Sequence, residues 1–194
     1  MEDFKELEYK YKADGVKLTD FQELAESLTP LKKIDASSWD LYYTKKDVEG
    51  YFIRYRDATN PELTKKRKTK TSNNWERIEI DLPLDPNRVK EDIVTSWVAL
   101  DNYNKNFKIY KSCFIYWFEN TNMVYYTVYD ENMKEIGRYI EVEVNKEKVS
   151  EIGQEKCMEE LKTLEEQLTK LGISNKNRMK RSLFEIYRTT KPIP

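Results

Sequence analysis

The chain has 194 residues, 34 basic against 35 acidic side chains, a net charge of −1 and 39% hydrophobic residues, enough to bury a substantial core. Charge this close to balance gives no global pull toward nucleic acid or an anionic membrane, so any polyanion must be bound by local charge segregation. Histidine is absent and Cys113 and Cys157 form no CxxC pair; His-based triads and a thiolate zinc site are excluded, and any metal chemistry falls to carboxylates, which suit Mg²⁺ or Mn²⁺.

The N-terminus is charged from Glu2 onward and no apolar run approaches a membrane span, so neither a signal peptide nor an anchor is expected. Sparse cysteine fits a reducing cytoplasm. The first element is E-L-E-Y-K-Y-K (6–12), with Glu6, Glu8 and Lys10 alternating with Leu7, Tyr9 and Tyr11. On a strand this period places two carboxylates and an ammonium on one face. Thr19, with Gln22 three residues on, opens a helix that carries Phe21, Leu24, Ala25 and Leu28 on one side and ends at Pro30. A short strand is expected around Tyr42 and Tyr43.

Strands follow at 51–56 (Y-F-I-R-Y-R), 63–70 (L-T-K-K-R-K-T-K) and 75–82 (W-E-R-I-E-I-D-L), all rich in β-branched or aromatic residues or strictly alternating. Asp85 and Pro86 start a second helix with Val89, Ile93, Val94 and Trp97 on its buried stripe. Further strands are expected at 107–118, 123–129 and 138–144. Ile152 to Leu171 reads as a long amphipathic helix with Leu161, Leu164, Leu168 and Leu171 as its seam and Gly172 at C′. A last short helix covers Arg178 to Tyr187. About eight strands, no internal repeat and no low-complexity linker predict one α+β domain over residues 1–194.

The charged strand faces form a set. Arg54 and Arg56 share one face; Thr64, Lys66, Lys68 and Lys70 share another. Arg77, Glu79 and Asp81 align, as do Glu141 and Glu143. Solvated sheet faces usually mix signs, because like charges placed opposite each other destabilise. Cations crowded on neighbouring strands would be relieved by a polyphosphate, and crowded carboxylates by a divalent metal. Those two agents bind each other. For single residues the bland readings stand beside this one: Lys68 and Lys70 as a solvated strand end, Asp130 as a turn residue, Trp39, Tyr42 and Tyr43 as packing residues, Cys113 as an apolar filler.

The ordered series of motifs resembles the CYTH superfamily, the triphosphate tunnel metalloenzymes. Its N-terminal ExExK is matched by Glu6, Glu8 and Lys10. D-L-Y-Y-T (40–44) is similar to the family's D-x-Y-Y-D segment, and R-Y-R supplies Arg54 and Arg56. Lys66 takes the position of the TxK lysine. Arg77, Glu79 and Asp81 stand for R-x-E-x-E, and 130–143 resembles the late D…LGxFxEIE block with Tyr139 in place of Phe. L-G-I (171–173) and R-S-L-F-E (181–185) are similar to the family's ending. Cys113 departs from the pattern, falling where many members carry Arg.

The resemblance implies a closed eight-stranded antiparallel barrel with a polar interior and flanking amphipathic helices. It implies that Glu6, Glu8, Glu141 and Glu143 hold Mg²⁺ or Mn²⁺. Lys10, Arg54, Arg56, Lys66, Lys68, Arg77 and Lys111 would bind phosphate, and Lys10, Glu79 and Asp81 would serve the chemistry. The expected substrate is inorganic tripolyphosphate or a nucleoside or other organic triphosphate, hydrolysed by water; the alternatives are cyclisation of ATP to cyclic AMP and pyrophosphate, and non-catalytic binding of a nucleotide or polyphosphate. No membrane partner is expected, and no nucleic acid other than an RNA 5′-triphosphate end. The chain is expected as a monomer or homodimer.

Overall fold

Period-two alternation of charged and apolar residues lets a sheet curl so that its charged faces turn inward and its apolar faces pack under helices. The computed structural model describes residues 4–46, 51–68, 76–145, 148 and 151–188, with backbone alone at 4–6, 51, 67–68 and 76–79. Its strands are β1 (Phe4–Lys12), β2 (Lys32–Lys45), β3 (Tyr51–Asp57), β4 (Glu62–Lys68), β5 (Glu76–Pro83), β6 (Tyr103–Trp117), β7 (Thr121–Tyr129) and β8 (Glu135–Val144). All pairings are antiparallel, and the order β1-β5-β4-β3-β2-β6-β7-β8 closes on itself through β1 and β8. An eight-stranded barrel is wide enough to hold one small ligand.

Most of the apolar core lies outside the barrel wall, under the helices. Leu7, Tyr9 and Tyr11 of β1, Met123 and Tyr125 of β7, and Ile140 and Val142 of β8 pack beneath α1 (Leu18–Ser27) and α3 (Gln154–Leu168). Phe21, Leu24, Leu161 and Leu168 supply the helix side of this layer. Each such side chain, fully buried, contributes about 1.5–3 kcal/mol. On another face, Leu41, Tyr43, Tyr55 and Tyr103 pack under Val94 and Val98 of α2 (Glu91–Ala99).

Several elements differ from expectation. β2 runs for 14 residues, because K-K-I-D-A-S-S has no alternation of its own and is strand only by pairing with β6. α1 begins at Leu18 with no side-chain cap, so Thr19 lies inside it. Asp85 and Pro86 form a turn, the Asp85 carboxylate accepting from the Asn87 amide at 2.9 Å, and α2 starts at Glu91. Ile93 and Trp97 are exposed while Val94 and Val98 meet the sheet, a rotation of α2 set by the barrel surface. Asp130 is a turn residue, as expected, accepting from the Asn132 and Lys134 amides. The long C-terminal helix breaks at Leu168 into a 3₁₀ turn over Thr169–Leu171, and Gly172 closes it at φ 76, in the left-handed region that favours glycine.

The last helix, α4, is confined to Leu183–Tyr187 and opens on a capping box between Ser182 and Glu185. Arg178 belongs to an extended strap instead. It bridges to Tyr11, and the Met179 amide donates to the Lys10 carbonyl at 2.8 Å, along the stretch of β1 that β5 no longer covers. The strap is pinned by a partly buried ion pair between Arg178 and Glu165. The guanidinium lies 3.5 Å over the Tyr9 ring, and the Tyr11 hydroxyl donates to Glu165 at 2.7 Å. Gly137 is needed where α4 docks: a Cβ there would sit 2.6 Å from the Tyr187 hydroxyl.

Candidate functional site

A cavity of about 450 Å³ occupies the barrel interior, with carboxylates concentrated on β1 and β8 and cations on β3, β4 and β6. β1 and β8 pair with Glu8 opposite Glu143 and Lys10 opposite Glu141, all four facing inward. Oxygen atoms of Glu8, Glu141 and Glu143 lie within 4.8 Å of one another. The Lys10 ammonium sits between two of them, 2.7 Å from Glu141 Oε1 and 3.2 Å from Glu8 Oε1. The Tyr126 hydroxyl donates to Glu141 at 2.7 Å and the Asn122 amide to Glu143 at 3.2 Å. Burial, then the charges of Glu141 and Glu8, push the Glu143 carboxyl up to about 7.

These residues fit a divalent ion. Three carboxylates and one ammonium leave two negative charges, the donors are all oxygen, and their spacing suits a shared cation. Glu6 has the same strand parity two residues earlier, and its backbone pairs with Arg77; its side chain lies outside the described residues.

The opposite wall holds Arg54, Arg56, Lys66 and Lys111, all lining the same cavity. They do not stand as bare cations. The Asp40 carboxylate, fully buried, takes Arg56 Nε at 3.0 Å and Nη2 at 3.3 Å, and Lys111 Nζ at 2.7 Å. Burial alone would push the Asp40 carboxyl up, but Arg56, Lys111 and Arg54 hold it well below the usual carboxylate range. Arg54 Nη2 donates to Glu62 at 3.0 Å and to the Thr64 hydroxyl at 2.9 Å, and that hydroxyl is 2.8 Å from Asp81. Burial and the neighbouring Arg56 lower the Lys111 ammonium pKa in spite of Asp40.

Part of the charge crowding read from the strands is therefore relieved inside the protein. Asp40, Glu62 and Thr64 were not among the candidate residues, although Asp40 shares its strand face with Tyr42 and Thr64 with Lys66. Their importance comes from what the neighbouring strands place beside them, which the parity of a single strand does not reveal.

Lys68 pairs through its backbone with Arg77, and Lys66 with Glu79; the side chains of Lys68, Arg77 and Glu79, and all of Lys70, lie outside the described residues. Cys113 faces the cavity beside Lys111, and burial pushes its thiol up, as befits a filler rather than a nucleophile. Trp39 and Tyr43 face outward, whereas Tyr42 stacks on Phe107 at 4.5 Å inside one end of the barrel. Phe52 and Phe184 stack there at 4.5 Å as well, so buried rings from three strands and α4 fill that end.

No family model matches the sequence, and no curated protein matches it. Solved structures do. The PH1012 protein of Pyrococcus horikoshii superposes with a TM-score of 0.70 at 18% identity, over 93% of this chain and 98% of that one. A candidate adenylate cyclase from Vibrio parahaemolyticus gives 0.66 at 13% identity, over 96% and 98%. Another from Bacillus halodurans gives 0.61 at 14%, over 95% and 99%. At these identities the likeness establishes a shared fold, and it spans nearly the full length of both partners.

Proposed function

We propose that this protein is a divalent-metal-dependent triphosphatase that works inside its barrel, a single domain acting on a soluble triphosphate in the cytoplasm. One observation carries the reading: three carboxylates within 4.8 Å face Arg54, Arg56, Lys66 and Lys111 across one cavity. The ordered CYTH-like motifs support it, and so does a fold shared with candidate adenylate cyclases. Among the described residues no helix is long and apolar enough to cross a membrane.

Glu8, Glu141 and Glu143, with Glu6, would hold Mg²⁺ or Mn²⁺. Arg54, Arg56, Lys66 and Lys111, with Lys68 and Arg77, orient the phosphate chain and offset the charge that spreads over the equatorial oxygens in the transition state. A bound ion would supply Lewis acidity and charge neutralisation. Water oxygen bonds to the terminal phosphorus, the bridging P–O bond breaks, and Asp81 or Glu79 takes the water's proton. Lys10, held between Glu8 and Glu141, keeps those carboxylates in place and presents a donor to the scissile phosphate.

Counting Asp40 and Asp81, the described interior carries five cations against six carboxylates. A bare polyphosphate would therefore meet a slightly negative cavity, and its binding should require the metal.

The test is a product assay by ion-exchange chromatography, with tripolyphosphate or ATP in Mg²⁺, Mn²⁺ or EDTA. Metal-dependent orthophosphate that disappears in Glu8→Gln supports the triphosphatase. Pyrophosphate with cyclic AMP from ATP would replace it by the cyclase reading, which the fold likeness keeps open. Tight ligand binding in EDTA without turnover would point to a non-catalytic binder.

A further inference from the structure

Thr64 stands at the centre of a polar network in the cationic wall, and its hydrogens do not suffice for its neighbours. The residue is fully buried. Its hydroxyl oxygen has three polar partners on three strands: Arg54 Nη2 at 2.9 Å, Glu62 Oε1 at 3.0 Å and Asp81 Oδ1 at 2.8 Å. A hydroxyl donates one hydrogen and accepts two. Arg54 brings a hydrogen of its own to one lone pair. Thr64 donates to Glu62 or to Asp81 but not to both, and an ionised carboxylate brings no hydrogen. Three hydrogen bonds at these distances thus need one proton more than an arginine, a threonine and two carboxylates supply.

Strand register builds this arrangement. Thr64 pairs with Arg54 across β3 and β4 and with Asp81 across β4 and β5, while Glu62 precedes it by two residues on the same face. Of Glu62, Thr64 and Asp81, only Glu62 lines the cavity, with its side chain 27% exposed. The array therefore runs from the cavity, through a hydroxyl closed to solvent, to a second carboxylate. Arg54 bonds Glu62 at 3.0 Å, and the Glu62 charge also acts on Arg56, its register partner on β3. Asp40 of β2 lies beyond Arg56, and Lys66 follows Thr64 by two residues on β4. These cations keep two neighbouring carboxylates ionised until a proton arrives.

We propose that Glu62, Thr64 and Asp81 form a relay that receives the proton of the attacking water. This deepens the triphosphatase reading and rests on it. As the water oxygen bonds to the terminal phosphorus, the bridging P–O bond breaks and its electron pair stays on the departing phosphate. Glu62 takes the water's proton. The new Glu62 O–H donates into the open lone pair of Thr64, whose own hydroxyl donates to Asp81, and all three contacts of Thr64 are then hydrogen bonds. Moving each hydrogen one step along leaves the proton on Asp81 and a hydroxyl on Thr64 again; the reverse shift returns it to Glu62, from which solvent removes it. Glu62 is the group that meets the water, and Thr64 and Asp81 act through it.

The test separates rate from affinity in the wild type, Thr64→Val, Thr64→Ser and Glu62→Gln. Valine keeps the shape of threonine without its hydroxyl, serine keeps the hydroxyl, and glutamine cannot take the proton. Single-turnover release of orthophosphate is followed with Mg²⁺ and tripolyphosphate or ATP. Binding of an imido analogue of tripolyphosphate with Mg²⁺ is followed by calorimetry. Thr64→Val and Glu62→Gln should each slow the chemical step tenfold or more while analogue affinity falls less than threefold, and Thr64→Ser should come within threefold of the wild-type rate. Rate losses under threefold, affinity losses as large as the rate losses, or a Thr64→Ser no faster than Thr64→Val would overturn the relay and reduce Thr64 to a support for Arg54, leaving the triphosphatase reading intact. A wild type that releases no orthophosphate from either substrate would overturn both.

Discussion

Asp40→Asn should cost this protein about 3 kcal/mol. The native carboxylate is fully buried and holds two cations, Arg56 in a two-point contact at 3.0 and 3.3 Å and Lys111 at 2.7 Å. Deleting one member of a buried charge cluster leaves the others uncompensated, which typically costs about 3–5 kcal/mol. The Arg56 side chain is 30% exposed and keeps some hydration, whereas Lys111 is 11% exposed, so the lower end of that range applies. Asparagine preserves the shape and a hydrogen bond from Ser38 or Arg56, so the variant isolates the charge. For a chain of this length 1 kcal/mol corresponds to about 2–4 °C in Tm, giving a drop of roughly 6–12 °C.

Urea unfolding and a thermal scan in parallel would measure the effect. Tripolyphosphate with Mg²⁺ should then stabilise the variant more than the wild type, because an anion replaces the missing carboxylate. Neighbouring cations hold the Asp40 carboxyl well below the usual carboxylate range, so its contribution is complete above that range and is lost as pH falls through the lowered value. The gap between wild type and variant should accordingly close only in strong acid. A loss under about 1 kcal/mol, or a gap that closes between pH 5 and 8, would refute the counter-ion role.

Glu143 behaves in the opposite sense. Its folded pKa of about 7 exceeds the ordinary 4.5, so the folded state holds a proton that the unfolded chain releases, and stability in EDTA should fall as pH rises from 4.5 to about 7. Glu143→Gln should remove that pH-dependent loss, about 3 kcal/mol between pH 4.5 and 7, and Mg²⁺ should restore wild-type stability above pH 7; a slope unchanged by the substitution would count against the carboxylate cluster. On α2, Val98→Ala should cost about 1–3 kcal/mol and Trp97→Ser less than about 0.5, as read by urea midpoints; the reverse order would mean that the helix is rotated the other way. Arg178→Leu should lower stability by about 3 kcal/mol, because it strands the buried Glu165 carboxylate and loosens the strap on β1, and amide exchange at Met179 should accelerate.

Much of the architecture was legible in the sequence because alternation is a local property. Glu8 and Lys10, Arg54 and Arg56, Glu141 and Glu143 each declare a common face through period two, and all six face the cavity. The seam of α3 and the glycine that ends its last turn were equally legible, since helix periodicity and a left-handed C′ residue depend only on neighbours in the chain.

What the tertiary structure decided is which faces meet. The first half of β2 becomes strand only because β6 lies beside it. Register across β1 and β8 sets Glu8 against Glu143 and Lys10 against Glu141. Pairing of β2 with β3 on one side and β6 on the other brings Asp40 beside Arg56 and Lys111, turning an expected surplus of cations into a compensated cluster. The barrel surface also chose Val94 and Val98 over Ile93 and Trp97 as the buried side of α2. Alternation states that a side chain points inward; only the stagger and closure of eight strands determine what it meets there.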